Sequence, residues 1–339
     1  MSSNLLKTNI HSTKFSPPYI SSKIPSYSFI SISKKSPVTP FLHYRPLKTI
    51  KIQLFRVHSS ISSSPTPPTS KEDAVLQAKL SLSAALQKPL NNLKLTGKII
   101  KQKQPRFRVE IPVIDDSADS LGQLSFEIFR NIQVKKKGST VKMLLIWPND
   151  ITLESGIKAF NKSPTYVEVQ HVELNTVMTV DNRILNSADV AVFLAPNSSQ
   201  LTAMKLVSEN LFPRPLVLFN PKWAFEEEDG FGESRKFVGS FDVVYAFLGL
   251  EVRGLLSKRK GVVFKFVRDG VVSGEKWNVL VEDEEQGNRL KVVSRFETRP
   301  SITEVENVLY NLMAVNSPIT KSAKFLRDLV SNVTGKKPS

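Results

Sequence analysis

The sequence predicts an α/β fold: a mostly parallel sheet flanked by helices, with an antiparallel meander in the last third and two C-terminal helices. Three observations point there. First, near-continuous apolar runs, TVKMLLIW (140–147), ADVAVFLA (188–195) and RPLVLFN (214–220), alternate with segments of helical periodicity. Strands apolar on both faces belong to parallel sheets covered on both sides. Second, GSFDVVYAFLGL, GVVFKFVRDG, EKWNVLVED and NRLKVVSRFE follow one another through turns such as RDG and EEQGN, with partial period-two alternation. Third, two helix-start signals close the chain: Pro300, Ser301 and Glu304, then Ser317 with Pro318.

Residues 57–70 (VHSSISSSPTPPTS) read as an unstructured linker. A helix follows, with Thr69 and Glu72 placed as a capping box. Val75, Ala78, Leu82 and Leu86 form its apolar face, Leu76 and Leu80 are expected to widen that face, and Pro89 is expected to end the helix. Such a helix either docks on the core or stays free to meet a membrane or a partner. KLTGKIIKQKQPRFR (94–108) then carries six basic residues and no acid. RFRVEIPV reads as a strand. Ser120 with Gln123 caps a helix that buries Leu121, Leu124, Ile128 and Ile132. After strand 140–147, Asp150 is placed as the N-cap of NDITLESGIKAF. PTYVEVQHVEL is a strand, and SSQLTAMKLVSENLF is a helix between the strands 188–195 and 214–220. Val305, Val308, Leu309, Leu312 and Met313 line one side of the first C-terminal helix. Ile319, Ala323, Leu326, Val330 and Val333 form the stripe of the second. The resulting division is residues 1–60 as a chloroplast transit peptide, 61–105 as linker and amphipathic helix with the basic segment, and 106–335 as one α/β domain.

The transit-peptide reading rests on composition. The first seventy residues hold seventeen Ser, nine Lys or Arg, and no Asp or Glu. Prolines at 17, 18, 25, 37, 40 and 46 would break a basic amphipathic presequence helix, and no apolar secretory core is present. A disordered tail is the alternative. Removing this segment lowers the net charge from +16 to +7 (38 basic, 31 acidic), so the basic composition is weak support for nucleic-acid binding. No uncharged apolar run reaches the 18 or so residues that cross a bilayer, so no transmembrane segment is expected.

The chemistry is limited by what is missing. With no cysteine, thiolate metal sites, iron–sulfur clusters and cysteine nucleophiles are excluded. Beyond the first seventy residues His171 is the lone histidine, in a strand-like context that favours a structural role. There is no GxxxxGK[ST], GxGxxG or GxSxG. No catalytic residue, cofactor or metal is therefore expected. What remains is a recurring turn after buried strands: IWPND, LAPNSSQ and FNPKW. In an open parallel sheet such ends share one edge, where ligands bind. The candidate ligand-binding residues are Asn149, Asp150, Asn197, Ser198, Asn220, Lys222 and Trp223. The same residue types are ordinary turn and cap formers. Glu226, Glu227, Glu228, Asp229 and Glu233 could offer oxygen ligands to a cation, but they lack regular spacing and read as a solvated loop. The basic segment 94–108 could meet RNA or an anionic membrane, or be a solvated linker. It lacks the interleaved aromatics of an RNA-stacking surface, so nucleic acid is not the favoured partner.

At RVEIP, LLIWP, SADVAVFLAP, VLFNPKW and RFETRP the chain resembles a plastid and cyanobacterial domain family of unknown biochemical function. That family includes the low photosystem II accumulation proteins, and a similar domain follows the kinase part of a chloroplast adenylate kinase. The resemblance spans about residues 70–335. It implies a plastid protein and suggests a role in photosystem or thylakoid biogenesis. Together with the transit peptide and the missing catalytic chemistry, it leads us to expect a stromal or thylakoid-peripheral protein that binds thylakoid or photosystem assembly proteins, with peripheral membrane contact as a further option. It supplies no catalytic residues, and without a phosphate-binding loop the kinase activity does not carry over. A nucleotide- or phosphometabolite-binding enzyme or sensor at the strand ends, and an RNA-binding protein, are the alternatives.

Overall fold

The computed structural model describes residues 66–92, 103–112, 115–162, 164–177, 182–253, 258–283 and 289–316. The transit-peptide segment, most of the basic segment and the second C-terminal helix lie outside the described residues. In chain order the elements are α1 (Lys71–Asn92), β1 (Arg106–Glu110), α2 (Ala118–Phe129), β2 (Lys142–Trp147), α3 (Asp150–Phe160), β3 (Glu168–Glu173), α4 (Leu174–Val177), α5 (Asn182–Ser187), β4 (Val190–Leu194), α6 (Leu201–Asn210), β5 (Leu216–Phe219), α7 (Arg235–Val238), β6 (Asp242–Arg253), β7 (Lys258–Phe266), β8 (Trp277–Glu282), β9 (Leu290–Phe296) and α8 (Ile302–Asn316).

Among the described residues the strands form one sheet of nine in the order β3-β2-β4-β5-β1-β6-β7-β8-β9. The α/β expectation, parallel sheet followed by meander, is what the structure shows. Strand β6 joins the two halves. It pairs parallel with β1 on one side and antiparallel with β7 on the other. The apolar runs explain the parallel half. Every residue of β4 and β5 is buried, because helices cover both faces.

Alternation along β1 and β6 separates the two faces. Phe107, Val109, Tyr245 and Phe247 point into a core shared with α1, α2 and α3. On the opposite face Leu216 and Leu218 pack under α6 and α7, while Ala246, Val263 and Val279 pack under Val305 and Leu309 of α8. Two apolar clusters therefore share this second face. Arg108 and Glu110 of β1 alternate onto it, at the seam between them.

Helix α1 is docked, with Val75, Ala78, Leu82 and Leu86 buried and the Ser81 hydroxyl donating to the Val244 carbonyl (2.6 Å). Leu76 and Leu80 are exposed, contrary to expectation. At 3.6 residues per turn they project opposite the buried stripe, which Ala74 and Ala85 centre on Ala78 and Leu82. Pro89 falls inside the last turn and does not end α1, which runs on to Asn92. Caps also move. Ser70 accepts from the Asp73 amide at the start of α1, Ser117 caps α2, and Asn149 caps α3. At α8 the Ser301–Glu304 capping box forms as read, with Glu304 Oε2 accepting from the Ser301 amide (2.8 Å) and Ser301 Oγ accepting from the Glu304 amide (3.2 Å). The polar stretch after β3 contains two short helices, α4 and α5.

Candidate functional site

Strands β2, β4 and β5 are neighbours and parallel, so the three turns meet on one edge of the sheet. Hydrogen bonds join them. Gln200 Nε2 donates to the Pro148 carbonyl (2.7 Å), linking the turns after β4 and β2. The Lys222 amide donates to the Pro196 carbonyl (2.8 Å), linking those after β5 and β4. Ala195 (φ 41°) and Asn220 (φ 46°) sit in the left-handed region, so each end turns sharply at a residue other than glycine.

Most of the candidate side chains on this edge are occupied within the fold. Asn149 Oδ1 accepts from the Thr152 amide (3.0 Å) as the α3 cap. Asn197 Oδ1 accepts from Ser199 Oγ (2.6 Å), and its amide donates to Gln200 Oε1 (3.1 Å). Asn220 acts as an extra strand residue. Its Oδ1 accepts from the Ile111 amide (2.8 Å) and its Nδ2 donates to the Ile111 carbonyl (2.9 Å), prolonging the β5–β1 pairing beyond Phe219. Trp223 is buried, with Nε1 donating to Glu228 Oε1 (3.0 Å). Asp150, Ser198 and Lys222 are exposed on adjacent strand ends. Among the described residues, no group of three or more His, Cys, Asp or Glu is placed to hold a metal ion, and no helix is long and apolar enough to cross a membrane.

The acidic stretch behaves differently from the solvated loop expected of it. Residues Phe225–Gly230 form a 3-10 turn with Glu226, Glu227 and Asp229 outside and Glu228 buried. Glu228 Oε1 meets Arg108 Nη1 at 2.5 Å, and Arg108 Nη2 meets Glu110 Oε1 at 2.6 Å. Arg299 Nη1 meets Glu110 Oε2 at 2.8 Å and lies over the rings of Phe225 (4.3 Å) and Trp277 (5.4 Å). Two arginines and two glutamates thus balance their charge in the seam of the second face. Burial would raise the pKa of Glu110, but Arg108 and then Arg299 outweigh it and hold the carboxyl below its ordinary value. Burial opposes the charge on Arg108 as well, and Glu110 and Glu228 reverse that. Arg108, counted in the sequence with the basic segment, is therefore an internal ion-pair partner. The segments RVEIP, VLFNPKW and RFETRP supply Arg108, Glu110, Trp223 and Arg299. Sequence reasoning missed the network because Arg108 and Glu228 are 120 residues apart.

His171 lies on edge strand β3 beside Trp147 of β2. The Trp147 Nε1–H donates to His171 Nδ1 (3.1 Å), the two rings stack, and Phe160 meets the imidazole edge-on. Burial lowers the His171 pKa to about 4 from 6.5. These contacts pack the imidazole against the edge of the sheet. The unfolded chain takes up a proton near pH 6.5 that the folded chain refuses until about pH 4, so stability falls as pH drops through that window. Denaturant titrations at pH 7 and pH 4.5 should show a loss of about 2–3 kcal/mol that His171→Phe removes. An identical loss in both proteins would assign the effect to other groups.

The chain belongs to the family described as a domain of unknown function, DUF1995, whose profile matches residues 68–307. The match takes in α1, the whole sheet and the start of α8. No curated protein matches the chain.

Proposed function

We propose that this chain is a non-catalytic chloroplast auxiliary protein that supports photosystem or thylakoid biogenesis through protein binding. The observation that carries the reading is the use of side chains at the strand edge. Asn149, Asn197, Asn220 and Trp223 hold the turns together, and the arginines and glutamates nearest them neutralise one another internally. The acid-free N-terminus supports plastid targeting. The resemblance to the low photosystem II accumulation proteins, and to the domain that follows the kinase part of a chloroplast adenylate kinase, supports the biogenesis role. A plant or alga lacking the protein should accumulate less photosystem. Normal accumulation under both standard and high light would contradict the proposal.

The rival reading, an enzyme or sensor for a nucleotide or phosphometabolite, draws on the exposure of Asp150, Ser198 and Lys222 at adjacent strand ends. The acids around that edge oppose phosphate binding electrostatically. A ligand there should raise the melting temperature by mass action, and Lys222→Ala should abolish the rise.

A further inference from the structure

Charge is segregated between the two edges of the parallel half. The described residues that lead into strands β1 to β6 (within 103–105, 130–141, 161–167, 188–189, 211–215 and 239–241) hold seven basic side chains, among them Lys103, the run at 135–137 and Arg214, against one acid, Asp189. Those that leave strands β1 to β5 (within 111–117, 148–149, 195–197 and 220–234) hold seven acids, five of them in 226–233, against one base, Lys222. Helix dipoles account for part of this, since acids suit helix starts and Arg130 and Lys162 follow helix ends. They do not account for Lys103, Lys135 or Lys137, which lie away from helix ends.

Lys136 and Lys142 pair with Asp189 (2.7 Å) and Glu168 (3.3 Å). Lys103, Lys135, Lys137 and Arg214 have no ion-pair partner among the described residues, and the three lysines are exposed. On this same edge stand the two most exposed aromatic side chains among the described residues, Tyr166 at 78% and Phe212 at 54%. Tyr166 lies two residues before β3, and Phe212 lies in the loop entering β5.

We propose that this strand-entry edge is a docking surface for the anionic face of a lipid bilayer. Tyr166 and Phe212 seat at headgroup depth, and Lys103, Lys135, Lys137 and Arg214 lie against the lipid charges. Separate loop tips carrying aromatic and basic groups fit a plane. A single-stranded nucleic acid needs a continuous groove or an open aromatic sheet face, and here helices cover both faces of the parallel half. The acidic edge, with Asp150, Ser198 and Lys222, then faces away from the membrane. The inference goes beyond the auxiliary role and does not depend on which protein the chain meets.

Vesicle flotation of the full chain tests it, with phosphatidylcholine vesicles made with and without phosphatidylglycerol. Binding should require phosphatidylglycerol and weaken with salt. Lys135→Gln with Lys137→Gln should lower partitioning about 25-fold, at about fivefold per charge. Tyr166→Ser with Phe212→Ser should lower it with little change in salt dependence. Lys205→Gln with Lys260→Gln removes the same charge from exposed positions on α6 and β7 and should change partitioning less than about twofold. The basic N-terminus is common to all four proteins. The proposal is overturned if phosphatidylglycerol vesicles are not bound, or if the edge variants lose no more than the Lys205/Lys260 control. Binding of single-stranded RNA that depends on the edge, without vesicle binding, would equally overturn it and assign the surface to nucleic acid.

Discussion

Arg108→Ala should destabilise the folded chain by about 3–5 kcal/mol, because it leaves Glu110 and Glu228 facing each other in a buried seam without their shared cation. Both carboxylates lie below 10% exposure, so water cannot replace the guanidinium without opening the seam. Urea unfolding at pH 7 measures the loss. Pairing Arg108→Ala with Glu228→Ala should recover part of it, since Arg299 still pairs with Glu110 and the double variant removes the glutamate left without a cation. The pH dependence has a definite sign. The folded pKa of Glu110 lies below its unfolded value, so its stabilisation is complete above about pH 4.5 and is lost as pH falls through the folded value. A loss under about 1 kcal/mol for Arg108→Ala would mean that the network is screened like a surface pair.

Gly156→Ala should also destabilise, against the helix propensity that favours alanine by about 1 kcal/mol. A Cβ at Gly156 of α3 would stand 2.1 Å from the Trp147 indole, which is fully buried and fixed through its N–H to His171. Trp147 would have to move, breaking the stack with His171, and the expected net cost is about 2–4 kcal/mol. Thermal unfolding of the variant checks this, and a rise in melting temperature would show that Trp147 repacks freely. The same close approach runs along the α2–α3 contact, where a Cβ at Gly122 would lie 3.0 Å from the Ser155 carbonyl.

The parallel half was legible in the sequence because its strands are apolar on both faces and its helices are amphipathic, so periodicity alone separates them. Register and strand order were not. The parallel pairing of β6 with β1 brings residues 242–246 beside 107–110, and no local pattern encodes that. The three turns IWPND, LAPNSSQ and FNPKW do converge on one edge, as parallel strands require. The role of each side chain there was hidden for the same reason. Asn220 reaches Ile111 and Trp223 reaches Glu228 only after the sheet has formed. The acidic stretch shows the limit most clearly. Glu226, Glu227, Asp229 and Glu233 are exposed as composition suggests, whereas Glu228 is buried because Arg108 arrives from β1. Charge runs carry no mark of which member has a buried partner.

Under the proposed function this chain works by binding another protein. Affinity purification of the tagged chain from chloroplasts, after mild cross-linking, separates this role from a small-molecule one. Thylakoid or photosystem assembly proteins should be recovered, and should still be recovered when Lys222 is replaced by alanine. Recovery of the chain alone, together with a stromal metabolite whose stabilising effect is lost with Lys222→Ala, would instead assign the strand ends to a small molecule.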